Sequence, residues 1–187
     1  GLQNGLVAYY PFNGNANDES GNGRDGEVLD AILTKDRFGE DNKAYLFNGL
    51  SSAITVEDSD GAFNFPDNSN FTMSLWASLD KDNDQVYFLS KNEGRGEKKK
   101  WIFGVGENGG MDPSETEIGT KTYFHINGDD KKWLAKSQVY KIDYLKWQHY
   151  MVVKNSDSYL MFLDGKLISL EVSSSIIPPN ISDNCKF

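Results

Sequence analysis

Oxygen-bearing side chains and glycines crowd the N-terminal stretch of this sequence. The segment reads GLVAYYPFNGNANDESGNGRDG from Gly5 to Gly26, and an apolar run ends in it at Pro11. Calcium prefers about six to eight oxygen ligands, and a glycine-rich loop lets carboxylate, amide and carbonyl oxygens converge on one point. The same residue types also favour ordinary turns. The stretch therefore predicts a strand and then a loop that either binds a cation or is only a turn.

A second set of residues has the types that bind sugars. The apolar face of a pyranose packs on an aromatic ring, while its hydroxyl groups bond to nearby polar side chains. Trp101 and Trp133 stand in polar, lysine-flanked contexts, and Tyr123 and His125 share one face of a predicted strand, with Asn127 beyond them. These residues predict a ligand-binding surface. The alternative is that the aromatic rings are structural and cap a sheet face or pack beneath a loop.

The sequence lacks the usual motifs of EF-hand calcium sites, catalytic triads and nucleotide-binding loops. The acidic run that begins at Asp80 is similar to the start of an EF-hand, but Gln85 and Lys91 stand where Gly and Glu are required, which indicates a solvated turn. No Ser-His-Asp grouping, phosphate loop or dinucleotide fingerprint is present in the sequence. The sequence contains two histidines, His125 and His149.

Composition narrows the class of protein and of partner. The chain has 187 residues, 28 acidic and 19 basic, with a formal charge of −9. Apart from Lys98 to Trp101, no basic stripe is interleaved with aromatics, so nucleic acid is not an expected partner. Its apolar runs are far shorter than the roughly 20 residues that cross a bilayer. Cys185, the one cysteine, cannot form an intrachain disulfide. The length suits a single domain over residues 1–187.

The elements that must position these residues are predicted to be strands. Apolar and polar residues alternate from Phe71 to Leu79, which is typical of a strand with one buried face. Asp164-Gly165 predicts a two-residue turn within a hairpin from Tyr159 to Val172. Sustained helical spacing is missing, apart from a short turn near 143–147. Similar short segments are Leu6–Tyr10, Ala44–Phe47, Ala53–Val56, Val86–Ser90, Trp101–Val105, Thr122–Ile126 and Tyr150–Lys154. The pattern predicts an all-β fold, an antiparallel two-sheet β-sandwich of jelly-roll type.

Four motifs together resemble the bacterial laminin-G-like jelly-roll domains of the concanavalin A-like lectin and glucanase superfamily. They are the loop at 18–23, AYLFNG at 44–49, FTMSLWASLD at 71–80 and KWQHYMVVKN at 146–155. The resemblance implies structural calcium held by Asp18, the carbonyl of Gly23 and Asn48, where relatives usually have Asp. It also implies that Trp76 and Trp147 pack in the core and that His149 is structural.

Two departures from the family pattern bear on function. Glycosidases of this superfamily carry a Glu-x-Asp-x-x-Glu-like strand that places two carboxylates on one face. The nearest string here, Glu115-Thr116-Glu117, lies in a loop-like segment and lacks the central Asp. Relatives also continue beyond the region of 176–187 with a further strand. Either the sequence is a fragment that lacks its final strand, or another element fills that place.

We therefore expect a non-catalytic carbohydrate-binding or adhesion module from a larger secreted or cell-surface bacterial protein. It would bind a glycan or polysaccharide by stacking and hydrogen bonds, with calcium stiffening a loop. One alternative is an adhesion domain that binds a cell-surface protein without sugar specificity. Another is an atypical glycoside hydrolase or polysaccharide lyase, since this scaffold hosts binding modules and enzymes alike.

Overall fold

The computed structural model describes residues 3–65, 69–80, 85–92, 100–107, 120–127, 132–137, 140–155, 158–168 and 170–172. These residues contain thirteen β-strands and no helix, and the paired strands run antiparallel, which confirms the predicted all-β class. The chain divides into two compact units, residues 1–63 with 184–187, and residues 64–183, and each unit is described by itself. That residues 1–187 form one domain stays a prediction.

The first unit holds two small sheets. In one of them β1 (Gly26–Leu29) pairs with β4 (Ala53–Val56), and in the other β2 (Ile32–Thr34) pairs with β3 (Ala44–Leu46). The predicted strand at Leu6–Tyr10 is not a regular strand. The reason is local, because the backbone N–H of Tyr9 is donated to the carboxylate of Asp18 and not to a neighbouring strand.

The second unit contains the two large sheets. The four-stranded sheet has the order β12-β11-β10-β5, with strands β5 (Phe71–Ser78), β10 (Trp147–Asn155), β11 (Ser158–Leu163) and β12 (Lys166–Ile168). The five-stranded sheet has the order β13-β9-β8-β7-β6, with strands β6 (Gln85–Asn92), β7 (Lys100–Glu107), β8 (Thr120–Asn127), β9 (Lys132–Ser137) and β13 (Leu170–Val172).

Aromatic rings join these two sheets face to face. Phe71 of β5 lies 5.4 Å from Phe124 of β8, measured between ring centroids, and Tyr159 of β11 lies 5.7 Å from the same ring. Phe88 of β6 lies 4.7 Å from Tyr150 of β10. Such tilted and offset pairs bury large apolar areas in a core. The second unit is therefore the two-sheet β-sandwich that the alternating strands predicted.

The predicted hairpin turn is present between β11 and β12. Asp164 and Gly165 have φ angles of 50° and 75°, the left-handed values that the favoured two-residue turn requires at both positions. The chain after this turn contributes to both sheets, since β12 pairs with β11 in the four-stranded sheet and β13 pairs with β9 in the five-stranded sheet. The segment from 173 to 187, where the question of a final strand arises, lies outside the described residues.

Candidate functional site

Strand parity separates the outer face of the four-stranded sheet from the core. Along β10 the burial alternates, so that Tyr150 is buried and His149 is half-buried. Tyr150 pairs with Leu75 of β5 and contacts the five-stranded sheet through Phe88, so its side of the sheet is the inner one. His149 and its register partner Trp76 therefore share the outer face.

We call this surface the Trp76–His149 face, which consists of Ser74, Trp76, Trp147, His149 and Met151. The side chain of Trp76 is 43% exposed, and its ring lies 5.1 Å from the ring of His149 at an interplanar angle of 36°. The Nε2 atom of His149 is 2.7 Å from Oγ of Ser74. Trp147 is half-buried on the same side. The expectation that Trp76 packs in the core is wrong, because strand parity directs it outward.

The β11–β12 turn holds His149 in place. The carboxylate Oδ1 of Asp164 accepts a hydrogen bond of 2.8 Å from the backbone N–H of His149. The backbone N–H of Asp164 in turn donates to the His149 carbonyl at 2.9 Å. Gln148 donates a longer bond, 3.4 Å, to the other carboxylate oxygen. The imidazole thus projects from a backbone that is fixed by two strands and a turn, which is a preorganised arrangement.

The aromatic residues singled out in the sequence lie elsewhere. Trp101 is 2% exposed and packs between the sheets, with its ring 5.2 Å from Phe65 and 6.2 Å from Phe124. Tyr123 and His125 are buried and have the opposite parity to Phe124, so they lie on the other side of the five-stranded sheet. The structure therefore does not bring Trp101 together with Tyr123 and His125.

The buried rings correct the predicted ligand surface. The hydroxyl of Tyr123 accepts a hydrogen bond of 3.3 Å from Gln85, and burial raises the pKa of this tyrosine well above its ordinary value. A ring enclosed in this way has no face on which a sugar could stack, so Trp101 and Tyr123 take the structural alternative. Trp133 pairs through its backbone with Ile126, and its side chain, like that of Asn127, lies outside the described part of the chain.

The N-terminal loop is built around the carboxylate of Asp18. Its Oδ1 accepts the backbone N–H groups of Tyr9 and Ser20, both at 2.9 Å. Its Oδ2 accepts the Ser20 hydroxyl at 2.8 Å and the backbone N–H of Arg24 at 3.1 Å. Partial burial raises the pKa of Asp18, but these hydrogen bonds outweigh it and leave the pKa below its ordinary value. A carboxylate offers about four lone-pair sites, and the loop uses all of them.

Asn48 organises its own turn in the same manner. Its Oδ1 accepts the backbone N–H groups of residues 50–52 at 2.8, 3.0 and 3.1 Å. Gly23 adopts a left-handed φ of 71° in the Asp18 loop. Because the oxygens of Asp18 and Asn48 are already engaged by donors, the three residues as placed do not fit the ligand set of one calcium ion. Within the residues that the structure describes, no three His, Cys, Asp or Glu side chains group as a metal site would need.

A protein-family model matches most of the chain. The Laminin_G_3 family model, described as the concanavalin A-like lectin/glucanases superfamily, matches residues 48–184, about three quarters of the chain. The matched region contains both large sheets, whereas Asp18 and Gly23 precede it. No curated protein and no solved structure matches the chain significantly. A helix long and apolar enough to cross a membrane is not found among the described residues.

Proposed function

The chain belongs to the concanavalin A-like lectin/glucanases superfamily, and on that premise we propose that it is a non-catalytic module that binds carbohydrate through the Trp76–His149 face. Membership supports a lectin-like or adhesion module in general. The choice of carbohydrate rests on one observation, the exposed Trp76 ring beside the outward Ser74–His149 pair. We further propose that the module acts in a secreted or cell-surface protein, where polysaccharides and surface glycans are accessible.

The chemistry of the face matches the amphipathic character of a sugar. An exposed indole offers an apolar plane for the C–H side of a pyranose, and a neighbouring hydroxyl and imidazole can exchange hydrogen bonds with its hydroxyl groups. Trp76 and His149 lie on adjacent paired strands, so little conformational freedom is lost when a ligand binds. These features favour a shallow, preformed docking surface.

The same geometry supports binding without hydrolysis. Glycosidases need two carboxyl groups about 5 to 9.5 Å apart on either side of the scissile bond. The outward positions of β5 and β10 hold Ser, Thr, Trp, His, Met, Val and Asn residues, and no carboxylate. Asp164 adjoins this face, but it accepts from the backbone N–H of His149 and not from the ring, so Ser74, His149 and Asp164 do not form a catalytic triad.

A glycan array tests the proposal directly. We expect the wild-type protein to bind at least one class of immobilised glycan, and Trp76→Ala to weaken that binding by at least about fivefold, since loss of a stacked ring costs about 1 to 3 kcal/mol. Tyr87→Ala is the matched control, because Tyr87 is 48% exposed on β6 of the other sheet. Equal binding by wild type and Trp76→Ala, or binding of none of the glycans, would refute the proposal.

A further inference from the structure

We infer that the Trp76–His149 face selects neutral glycans over acidic ones, an inference that rests on the proposed function. The outward positions of β5 and β10 hold no Lys, Arg, Asp or Glu. They are Thr72, Ser74, Trp76 and Ser78 on β5, and Trp147, His149, Met151, Val153 and Asn155 on β10. Recognition of a uronate or a sulfated sugar requires lysine or arginine opposite the anion. These outward positions supply neither residue.

The lysines of this sheet lie on the wrong side for an anionic ligand. Its four strands contain two of them, Lys154 and Lys166. Lys154 is buried and donates from Nζ to the carbonyl of Ser69 at 2.6 Å. Lys166 pairs with Leu163, which pairs with the inward Tyr150, so Lys166 has the parity of the inner face. Strand parity thus keeps both positive charges off the outward positions.

Both a cation and an anion adjoin the face. Lys146, which precedes Trp147, is exposed, but its Nζ lies 3.5 Å from a carboxylate oxygen of Asp143 and is paired with it. Asp164 is exposed at the turn, and its carboxylate contacts the backbone of His149. The whole chain adds a formal charge of −9 at pH 7. An acidic polysaccharide would therefore meet like charge both locally and at long range, which lowers its rate of association as well as its affinity.

Hydroxyl groups lie within the Trp76–His149 face and on either side of it along β5. Thr72, Ser74 and Ser78 stand at outward positions of β5, and Trp76 lies among them. Hydroxyls both donate and accept, and an imidazole can do both through its two nitrogens, so these groups can match the hydroxyls of a neutral sugar in either direction. A purely apolar partner would leave them unsatisfied, which costs free energy. The hydroxyl groups therefore favour a neutral glycan over an apolar protein surface as the ligand.

Titration calorimetry with paired probes tests the selection. Neutral oligosaccharides of hexoses or pentoses are compared with uronate and sulfated oligosaccharides of equal length, at low and at high salt. We expect neutral probes to bind with an affinity that changes less than about twofold with salt, because no ion pair is formed. Trp76→Ala should lose this binding and Trp76→Phe, which keeps an aromatic ring, should retain part of it.

A charge-gain variant separates the inference from the proposed function. Ser74→Lys places a cation beside Trp76 and should weaken neutral probes while allowing salt-sensitive binding of acidic ones, whereas Tyr87→Lys on the other sheet should change neither. Salt-sensitive binding of acidic probes by the wild type, lost in Trp76→Ala, would overturn neutral selection and leave the carbohydrate function standing. Binding of neither probe class would overturn both.

Discussion

The Asp18 loop and the Trp76–His149 face use their polar groups in opposite ways. In the loop, both oxygens of Asp18 are fully occupied by donors from Tyr9, Ser20 and Arg24, so residues that resemble metal ligands hold the backbone instead. On the face, Trp76 remains 43% exposed beside a histidine that points outward from paired strands. Residue type alone therefore does not mark a binding site, because hydrogen bonding and strand parity decide what a side chain can still reach.

Removal of the Asp18 carboxylate should destabilise the protein strongly, because the N-terminal loop is built around it. Asp18→Ala should lower the free energy of unfolding by about 2 kcal/mol, because three backbone N–H groups lose their acceptor. Urea or thermal unfolding measures the change, and glycan binding should be unaltered. Asp41→Ala is the control, since Asp41 belongs to an exposed ion pair with Lys35 and should cost less than about 0.5 kcal/mol. Equal losses in the two variants would show that the loop does not depend on Asp18.

Removal of the Asp164 carboxylate should have a smaller effect on stability and should also disturb the Trp76–His149 face. Asp164→Ala should cost about 1 to 2 kcal/mol, because alanine is strained at a φ of 50° and the backbone N–H of His149 loses its acceptor. Asp164→Asn is the matched variant, since asparagine tolerates this conformation and keeps an acceptor oxygen. Thermal unfolding together with glycan affinity should show both properties reduced in Asp164→Ala and largely retained in Asp164→Asn. Identical behaviour of the two variants would mean that the turn does not support the face.

Much of the fold followed from local sequence patterns. The alternation from Phe71 to Leu79 predicted β5 and assigned Trp76 to its polar side, although the family resemblance then implied a core position. Asp164-Gly165 predicted the turn that supports His149. A short-range rule is sufficient to predict each of these elements. The two-residue period of a strand predicts β5, and the conformational preference of Asp-Gly predicts the turn.

The position of the site was harder to predict, because it depends on long-range burial. Trp101 looked exposed beside lysines, yet β7 is buried from 101 to 106 on both of its sides and shows no alternation that would reveal its faces. The strand expected at Leu6–Tyr10 is not formed for a related reason, because the backbone N–H of Tyr9 donates to the side chain of Asp18. The hydrophobic period alone does not show that both sides of β7 are buried. Nor does it show that Asp18 will accept the backbone N–H of Tyr9, nine residues earlier.

Calcium binding stays a prediction from family resemblance, and removal of calcium should hardly change the stability of the protein. If Asp18 is saturated by its own loop, a chelator should shift the melting temperature of the wild-type protein by less than about 1 °C. An ion that binds only the folded state would add about 2.7 kcal/mol at a hundred times its dissociation constant, which a calcium titration followed by thermal unfolding would detect. A rise of several degrees that Asp18→Asn removes would mean that calcium displaces the donors seen here, and the Asp18, Gly23 and Asn48 ligand set would then be restored. In that case the Asp18 loop, like the Trp76–His149 face, would be a binding site.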